Sequence, residues 1–393
     1  MTDQPARQRL ESIDVVRGVI MILMALDHTR DFFGVPGLNP VNLAQTTPAL
    51  FFTRWITHIC APVFFLLMGT SAFLSLRRRT QPALARLLLT RGLWLIVLEL
   101  TVIRCLAFQF NFDYHVTMLV VIWALGWCLI ALSALVFLPP TVVAIIGAVM
   151  IVTHNLLDPI TAASLGSFGP IWSILHAPGL VIAKPGFVVF VAYPLIPWIG
   201  VTAVGYGLGQ LYRGDAVRRQ QVLLRLGLAL IVAFVVVRFA NVYGDPAPWK
   251  SQPSAIMTVV SFFNVTKYPP SLSFLLMTLG PALVFLSLME RKTPGWLRPA
   301  LVFGHVPLFY FVLHLALIHL LAVVVALVNF GDASGLFASP TLAQYPFTAP
   351  PGWGFSLAGV YVWWMVVVIL CYPACVWFAR LKARRDDWWL SYL

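Results

Sequence analysis

Apolar runs of about twenty residues recur along the chain, separated by short polar or proline-bearing breaks. The pattern predicts helical spans near 16–34, 50–76, 88–108, 117–137, 140–157, 181–211, 221–242, 271–289, 300–328 and 354–379. Each is close to the ~20 residues that a bilayer's hydrocarbon core requires. Only Pro139 and Pro140 separate the fourth span from the fifth. The expected fold class is therefore all-α, a polytopic membrane bundle of about ten transmembrane helices. It forms a single domain over residues 1–393, with no separate soluble domain, internal repeat or low-complexity tract.

The cations test this count. With the N-terminus in the cytoplasm, Arg7, Arg9 and Arg17 fall on the inner side. So do Arg77, Arg78, Arg79, Arg86 and Arg91; Arg213, Arg218, Arg219 and Arg225; Arg291, Lys292 and Arg298; and Arg380, Lys382, Arg384 and Arg385. Arg30, Arg54, Arg104, Lys184, Arg238, Lys250 and Lys267 fall at outer helix ends or in outer loops. This is the asymmetry that sets membrane orientation, and it predicts that both termini are cytoplasmic. The breaks near 158–180, 243–270 and 329–352 are long, rich in Pro, Gly and aromatics, and suited to shaping an outer site.

Composition agrees with the pattern. The chain is 60% hydrophobic and 10% charged, with a mean hydropathy of +0.88, which excludes an ordinary soluble domain. A net charge of +12 does not imply a nucleic-acid partner, because the cations sit in loops between apolar runs. No cleavable signal peptide is expected. Cys60, Cys105, Cys128, Cys371 and Cys375 read as buried thiols, and no metal site is expected from the spacing of His, Cys and acidic residues.

The first span carries the candidate chemistry. Asp14, Arg17, Met21, Met24, His28 and Asp31 lie on one helical face. Arg17 and His28 are eleven residues apart, roughly 16 Å along the axis at about 1.5 Å per residue. One end of the stripe is a permanent cation; the other is a titratable base. Intramembrane ionisable groups are costly and mark function more often than not. Asp27 or Asp31 would orient the His28 imidazole and raise its basicity. His58, with Arg54 one turn away, enters from the second span at a similar depth.

Other polar positions support plainer readings. Glu99 suits an ion pair to another helix, and His115, His154 and His176 suit turns or the membrane interface. Of His305, His314 and His319, the mid-bilayer His314 is the most interesting, although a satisfied core histidine is the commoner case. In the segment Lys267 to Ser273, Ser271 and Ser273 offer hydroxyls to a substrate, and Lys267 can hold an anion or a carbonyl. No phosphate-binding glycine loop and no serine nucleophile elbow appears.

The stretch from Arg9 to Gly18, with its apolar run to Asp27 and His28, resembles the opening of the heparan-alpha-glucosaminide N-acetyltransferase-like family. Trp55 to Gly69, Lys267 to Gly280, and Gly304 to Phe309 continue the resemblance in family order, most closely to its bacterial branch. The Arg17-to-His28 spacing is also similar to the first-helix motif of the wider transmembrane acyltransferase superfamily, in which the Arg serves acyl-CoA use and the His serves transfer. One departure is visible. The animal lysosomal enzyme has its catalytic His in the loop after the first helix, whereas loop 35–49 contains none and His28 aligns with an Asn.

The resemblance implies a bacterial inner-membrane, multi-pass acyltransferase with acetyl-CoA as cosubstrate and no metal. Asp14, Arg17, Met21 and Met24 would line the acyl-CoA path. His28 would be the general base, and His58, Lys267, Ser271, Ser273 and Arg54 would assist at the oxyanion or acceptor. An acyl-His intermediate is the less favoured variant. The partners implied are the bilayer, acyl-CoA and a saccharide acceptor at the outer face, with a homodimer allowed. The competing readings are a proton-coupled carrier using His28 and Glu99 as relay groups, and a non-catalytic scaffold.

Overall fold

The computed structural model describes residues 10–385, 387 and 390; Arg7 and Arg9 of the inner-side set lie outside the described residues. In chain order the helices are α1 (Glu11–Phe33), α2 (Pro48–Thr57), α3 (Cys60–Leu74), α4 (Gln81–Leu98), α5 (Val121–Leu135) and α6 (Pro140–Thr153). They continue with α7 (Gly169–Leu175), α8 (Leu195–Leu208), α9 (Ala216–Ala240), α10 (Ala255–Phe263) and α11 (Leu272–Met289). The last three are α12 (Arg298–His305), α13 (Pro307–Phe330) and α14 (Leu357–Arg384). Three short strands, β1 (Val116–Leu119), β2 (Gly179–Lys184) and β3 (Phe187–Val191), form one sheet of order β1-β3-β2.

All ten expected apolar segments contain helix, but four are interrupted. The expected spans beginning at 117 and 181 open as strands. The hairpin of β2 and β3 turns at Gly186 (φ +72°), and β1 joins β3 in parallel with Val116 opposite Val188. The chain is thus mostly helical, as expected of an all-α membrane protein, and the small sheet is the one addition among the described residues. The second and ninth spans break at prolines. Pro62 has no N–H for the carbonyl of His58, and the helix divides there into α2 and α3. Pro307 has none for Phe303, and Val306 leaves the helical region (φ −133°, ψ 50°) between α12 and α13. The third span continues past α4 as a π-helical segment, Glu99–Phe108.

Six of these helical stretches are long and apolar enough to cross a membrane: Pro48–Arg77, Pro140–Leu157, Ala216–Ala240, Leu272–Met289, Pro307–Phe330 and Leu357–Arg384. Burial sorts them. The most apolar window of α11 is 78% buried, which makes it central. The windows of α9 and α14 are only 22% buried and present residues such as Val232, Val236 and Ile369 outward. Exposed apolar surfaces of this kind suit acyl chains.

Close approach of backbones sets the contact between several helix pairs. A Cβ on Gly18 of α1 would sit 1.8 Å from the carbonyl oxygen of Ala300 in α12. Reciprocally, one on Gly304 would sit 1.9 Å from that of Asp14. Helices in lipid gain nothing by hiding apolar surface from water, so small residues and tight packing must hold them together.

Candidate functional site

Tight packing of α1 against α12 places Arg17 at the mouth of a cavity. Its Nη1 donates to Asp14 Oδ1 (3.0 Å) and to the Gly304 carbonyl (3.3 Å), and its Nη2 donates to Ser71 Oγ of α3 (3.1 Å). Asp14 also faces His305 Nε2 at 3.6 Å. The cavity holds about 290 Å³ between α1, α3, α4, α5 and the start of α13. Its polar lining is confined to Arg17, Arg91, Ser71 and Ser75; Met21, Met24, Leu125 and Phe311 are among its apolar walls.

Phe311 links this cavity to His28, packing edge-on against the imidazole with centroids 5.9 Å apart; Phe108 packs the ring on another side. His28 Nδ1 lies 2.8 Å from His314 Nε2, and His314 Nδ1 lies 2.8 Å from the Tyr310 carbonyl. A carbonyl only accepts, so His314 Nδ1 must carry a proton. In a neutral His314 the Nε2 is then an acceptor, and His28 Nδ1 must donate to it. The lone pair of His28 is thereby left on Nε2, which makes no hydrogen bond among the described residues.

The orienting group of His28 is therefore His314, 286 positions away, and not the neighbouring carboxylates. Asp27 turns toward cations instead. It pairs with Arg30 at 3.0 Å, accepts from Arg54 Nη1, and accepts from Thr57 Oγ1 at 3.2 Å. Asp31 is 38% exposed and pairs with Arg30 at 2.6 Å.

Arg30, Arg54, His58, Lys267 and Tyr268 line a second cavity of about 660 Å³, together with residues 37–41 and 264–266 of the loops. His58 is buried, tilted against Phe274, so the structure assigns the two imidazoles of the first two spans to different neighbours. Lys267 lies over the Tyr268 ring, 5.1 Å from its centroid. Burial raises the Tyr268 phenol, but the Lys267 and Arg54 cations outweigh it and hold the group below its ordinary value.

Ser271 and Ser273 are not brought into this cleft. Ser271 Oγ caps α11, accepting from Phe274 N–H at 3.0 Å and donating to Asp245 Oδ2 at 2.7 Å. Ser273 is fully buried on the helix. Glu99 pairs with no cation among the described residues; its Oε2 accepts the N–H groups of Ile122 (3.1 Å) and Trp123 (3.2 Å), at the start of α5.

Reading the sequence missed His314 as a partner, Arg91 as a second cation at the Arg17 cavity, and a cluster of His154, Asp158 and His176 whose ligand atoms all lie within 4.8 Å of one another. The i, i+4 spacing of His154 and Asp158 was an available signal for the last. No local signal exists for the first, because its two members are on different spans.

The family model described as heparan-alpha-glucosaminide N-acetyltransferase, catalytic, matches residues 9–240. The match covers α1 through α9, including Arg17, His28 and Arg91, and ends before Lys267 and His314. No curated protein matches the chain.

Proposed function

The chain belongs to the heparan-alpha-glucosaminide N-acetyltransferase catalytic family, a family of membrane acetyltransferases, and from that premise we propose that it moves an acetyl group from cytoplasmic acetyl-CoA to a saccharide hydroxyl or amine at the outer face. The setting proposed is a bacterial inner membrane, with a cell-envelope glycan as the class of acceptor.

One observation carries the reading: a largely apolar cavity lined by Arg17 and Arg91 and walled by Met21 and Met24, one of whose wall residues, Phe311, packs edge-on against the His28 ring. Arginines suit the phosphates of a CoA, to which a guanidinium donates in pairs. The pantetheine arm would lie along the methionines and bring its thioester toward His28. The acceptor O–H or N–H gives its proton to His28 Nε2 as its heteroatom bonds to the thioester carbonyl carbon. The tetrahedral centre then expels CoA thiolate, which recovers the proton from His28. The outer cations, Arg54 and Lys267, are the groups proposed to hold the acceptor or the developing oxyanion, with His58 beside them. Asp27 then acts by holding Arg54 rather than by touching His28.

The experiment is calorimetry of acetyl-CoA with the purified, detergent-solubilised protein, joined to a measurement of CoA release with saccharide acceptors. Saturable binding by the wild type, weakened at least about tenfold in Arg17→Ala as one lost charged hydrogen bond implies, supports the donor assignment. His28→Ala should bind acetyl-CoA as the wild type does and release CoA roughly 10²–10⁴-fold more slowly. Absence of binding by folded wild type would return the polar stripe to the carrier reading, in which substrate flux is independent of CoA.

A further inference from the structure

We propose that His154, Asp158 and His176 form a divalent transition-metal site, of the chemistry that zinc favours, which clamps the outer loop after α6 to the segment that carries Lys267. This is independent of the acetyl-transfer reading and uses none of its residues as ligands.

His154 stands at the end of α6, Asp158 one turn beyond it, and His176 directly after α7. One ligand atom from each comes within 4.8 Å of the other two. His176 Nε2 and Asp158 Oδ1 are already 3.0 Å apart, close to the roughly 3.3 Å edge of a tetrahedron with about 2.0 Å bonds. Two imidazoles and a carboxylate are a common zinc donor set, leaving a fourth position for water.

A second observation points to a ligand. His154 and His176 are each 1% exposed, yet neither ring nitrogen of His154 makes a well-formed hydrogen bond, and His176 Nδ1 has no partner. Buried polar nitrogens left unpaired are costly, and an ion would take up one of the two on His154, whose ring has no other well-formed partner. The surroundings also supply what ligands need behind them. The Pro270 backbone, which can only accept, lies alongside the His154 ring. Asn155 Nδ2 donates to Asp158 Oδ2 at 2.8 Å and fixes the carboxylate. Outer-shell bonds of this kind orient metal ligands. Asp158 remains 21% exposed, which gives an ion a way in.

The site reaches the outer cleft through Asn155. Its Oδ1 accepts the N–H of Leu272 at 2.9 Å, the first residue of α11, directly after the segment holding Lys267 and Tyr268. A bound ion would thus hold the 158–180 loop, the end of α6 and the start of α11 as one unit.

The test uses full-length protein carrying no polyhistidine tag, stripped with chelator and titrated with Co²⁺, whose visible d–d bands report tetrahedral coordination. The expected result is saturation at about one equivalent, as three converging ligands imply, loss of the bands on adding Zn²⁺, and a rise in Tm with Zn²⁺. His154→Gln should abolish the bands. Asn155→Ala should weaken Co²⁺ binding by about 10–100-fold, as outer-shell losses do. If His154→Gln does not fold, Asp158→Asn decides the matter by the same bands. Folded wild type that shows no bands, or bands undiminished in the folded variant, would overturn the proposal.

Discussion

At the scale of single residues, the proposed chemistry turns on which nitrogen of His28 is free. The Tyr310 carbonyl dictates the His314 tautomer, and His314 dictates that of His28. Removing His28 removes the base, so His28→Ala should lower acetyl transfer by roughly 10²–10⁴-fold, the usual worth of such a group. His314 touches no substrate in this scheme and acts as a positioning residue. His314→Leu should reduce turnover by less than His28→Ala, leave acetyl-CoA affinity unchanged and alter the pH–rate profile. His314→Gln, which keeps a polar partner for His28 Nδ1, should recover part of the loss. A turnover unaffected by His314→Leu would detach the pair from the reaction.

Much of this residue-level picture was legible beforehand. Arg17, Met21, Met24 and His28 share a helical face by spacing alone. What spacing could not show is competition among partners. Asp27 is adjacent to His28 in the chain, but two guanidiniums, Arg30 and Arg54, claim its carboxylate. Ser271 carries a helix-cap signature, a serine before an apolar run, and the structure uses it so, as the cap of α11.

At the scale of elements, two contacts are worth testing because they bear on the walls of the Arg17 cavity. Glu99 accepts two N–H groups at the start of α5, which would otherwise be buried without partners. Glu99→Leu should destabilise the protein by about 1–3 kcal/mol, the penalty for orphaned buried donors. Glu99→Gln retains an acceptor and should cost less; thermal unfolding in detergent measures both. If α5 needs no such partner, the two variants will melt alike. Gly18 is the second contact. Gly18→Val would drive side-chain atoms into the Ala300 backbone, which cannot move aside as a flexible side chain would. Overpacking of this sort costs about 1–3 kcal/mol and shifts helices, so Gly18→Val should lower both Tm and acetyl-CoA affinity, since Arg17 bonds to Gly304 across the same contact. Helix positions came through from the apolar runs, and the breaks at Pro62 and Pro307 follow from missing donors. The strands did not come through. A short run rich in Val and Phe, such as Phe187–Val191, reads the same as buried helix when it merges with an apolar helix beyond it.

At the scale of the whole molecule, six helices among the described residues qualify as spans by length and apolarity, whereas the partition of cations calls for ten. The difference lies in what the other segments carry. α1 is 23 residues long, enough to cross, but its charges lower its apolarity; Arg17 is paired with Asp14, and Arg30 with Asp27. Paired, inward-facing charges do not prevent crossing. We propose that α1, α4 with its π segment, α5 and α8 cross as well, which places both termini in the cytoplasm. The two counts disagree about particular residues. With ten crossings, α9 runs outward, so Val217 is inside and Val242 outside. With six, α9 is the third crossing rather than the seventh; taking residues 78–79 as inside in both cases, it still runs from Ala216 to Ala240 but from the outer to the inner face. Val217 and Val242 then exchange sides. Both residues are exposed, at 60% and 89%, and the five native cysteines are buried, so single introduced cysteines can be read against a low background. An impermeant maleimide applied to intact cells should label Val242→Cys and spare Val217→Cys until the membrane is opened, with Arg78→Cys as the inner reference. The reverse order of labelling would reduce the bundle to six crossings, and Arg17 and His28 would then no longer lie on a helix that joins the two faces.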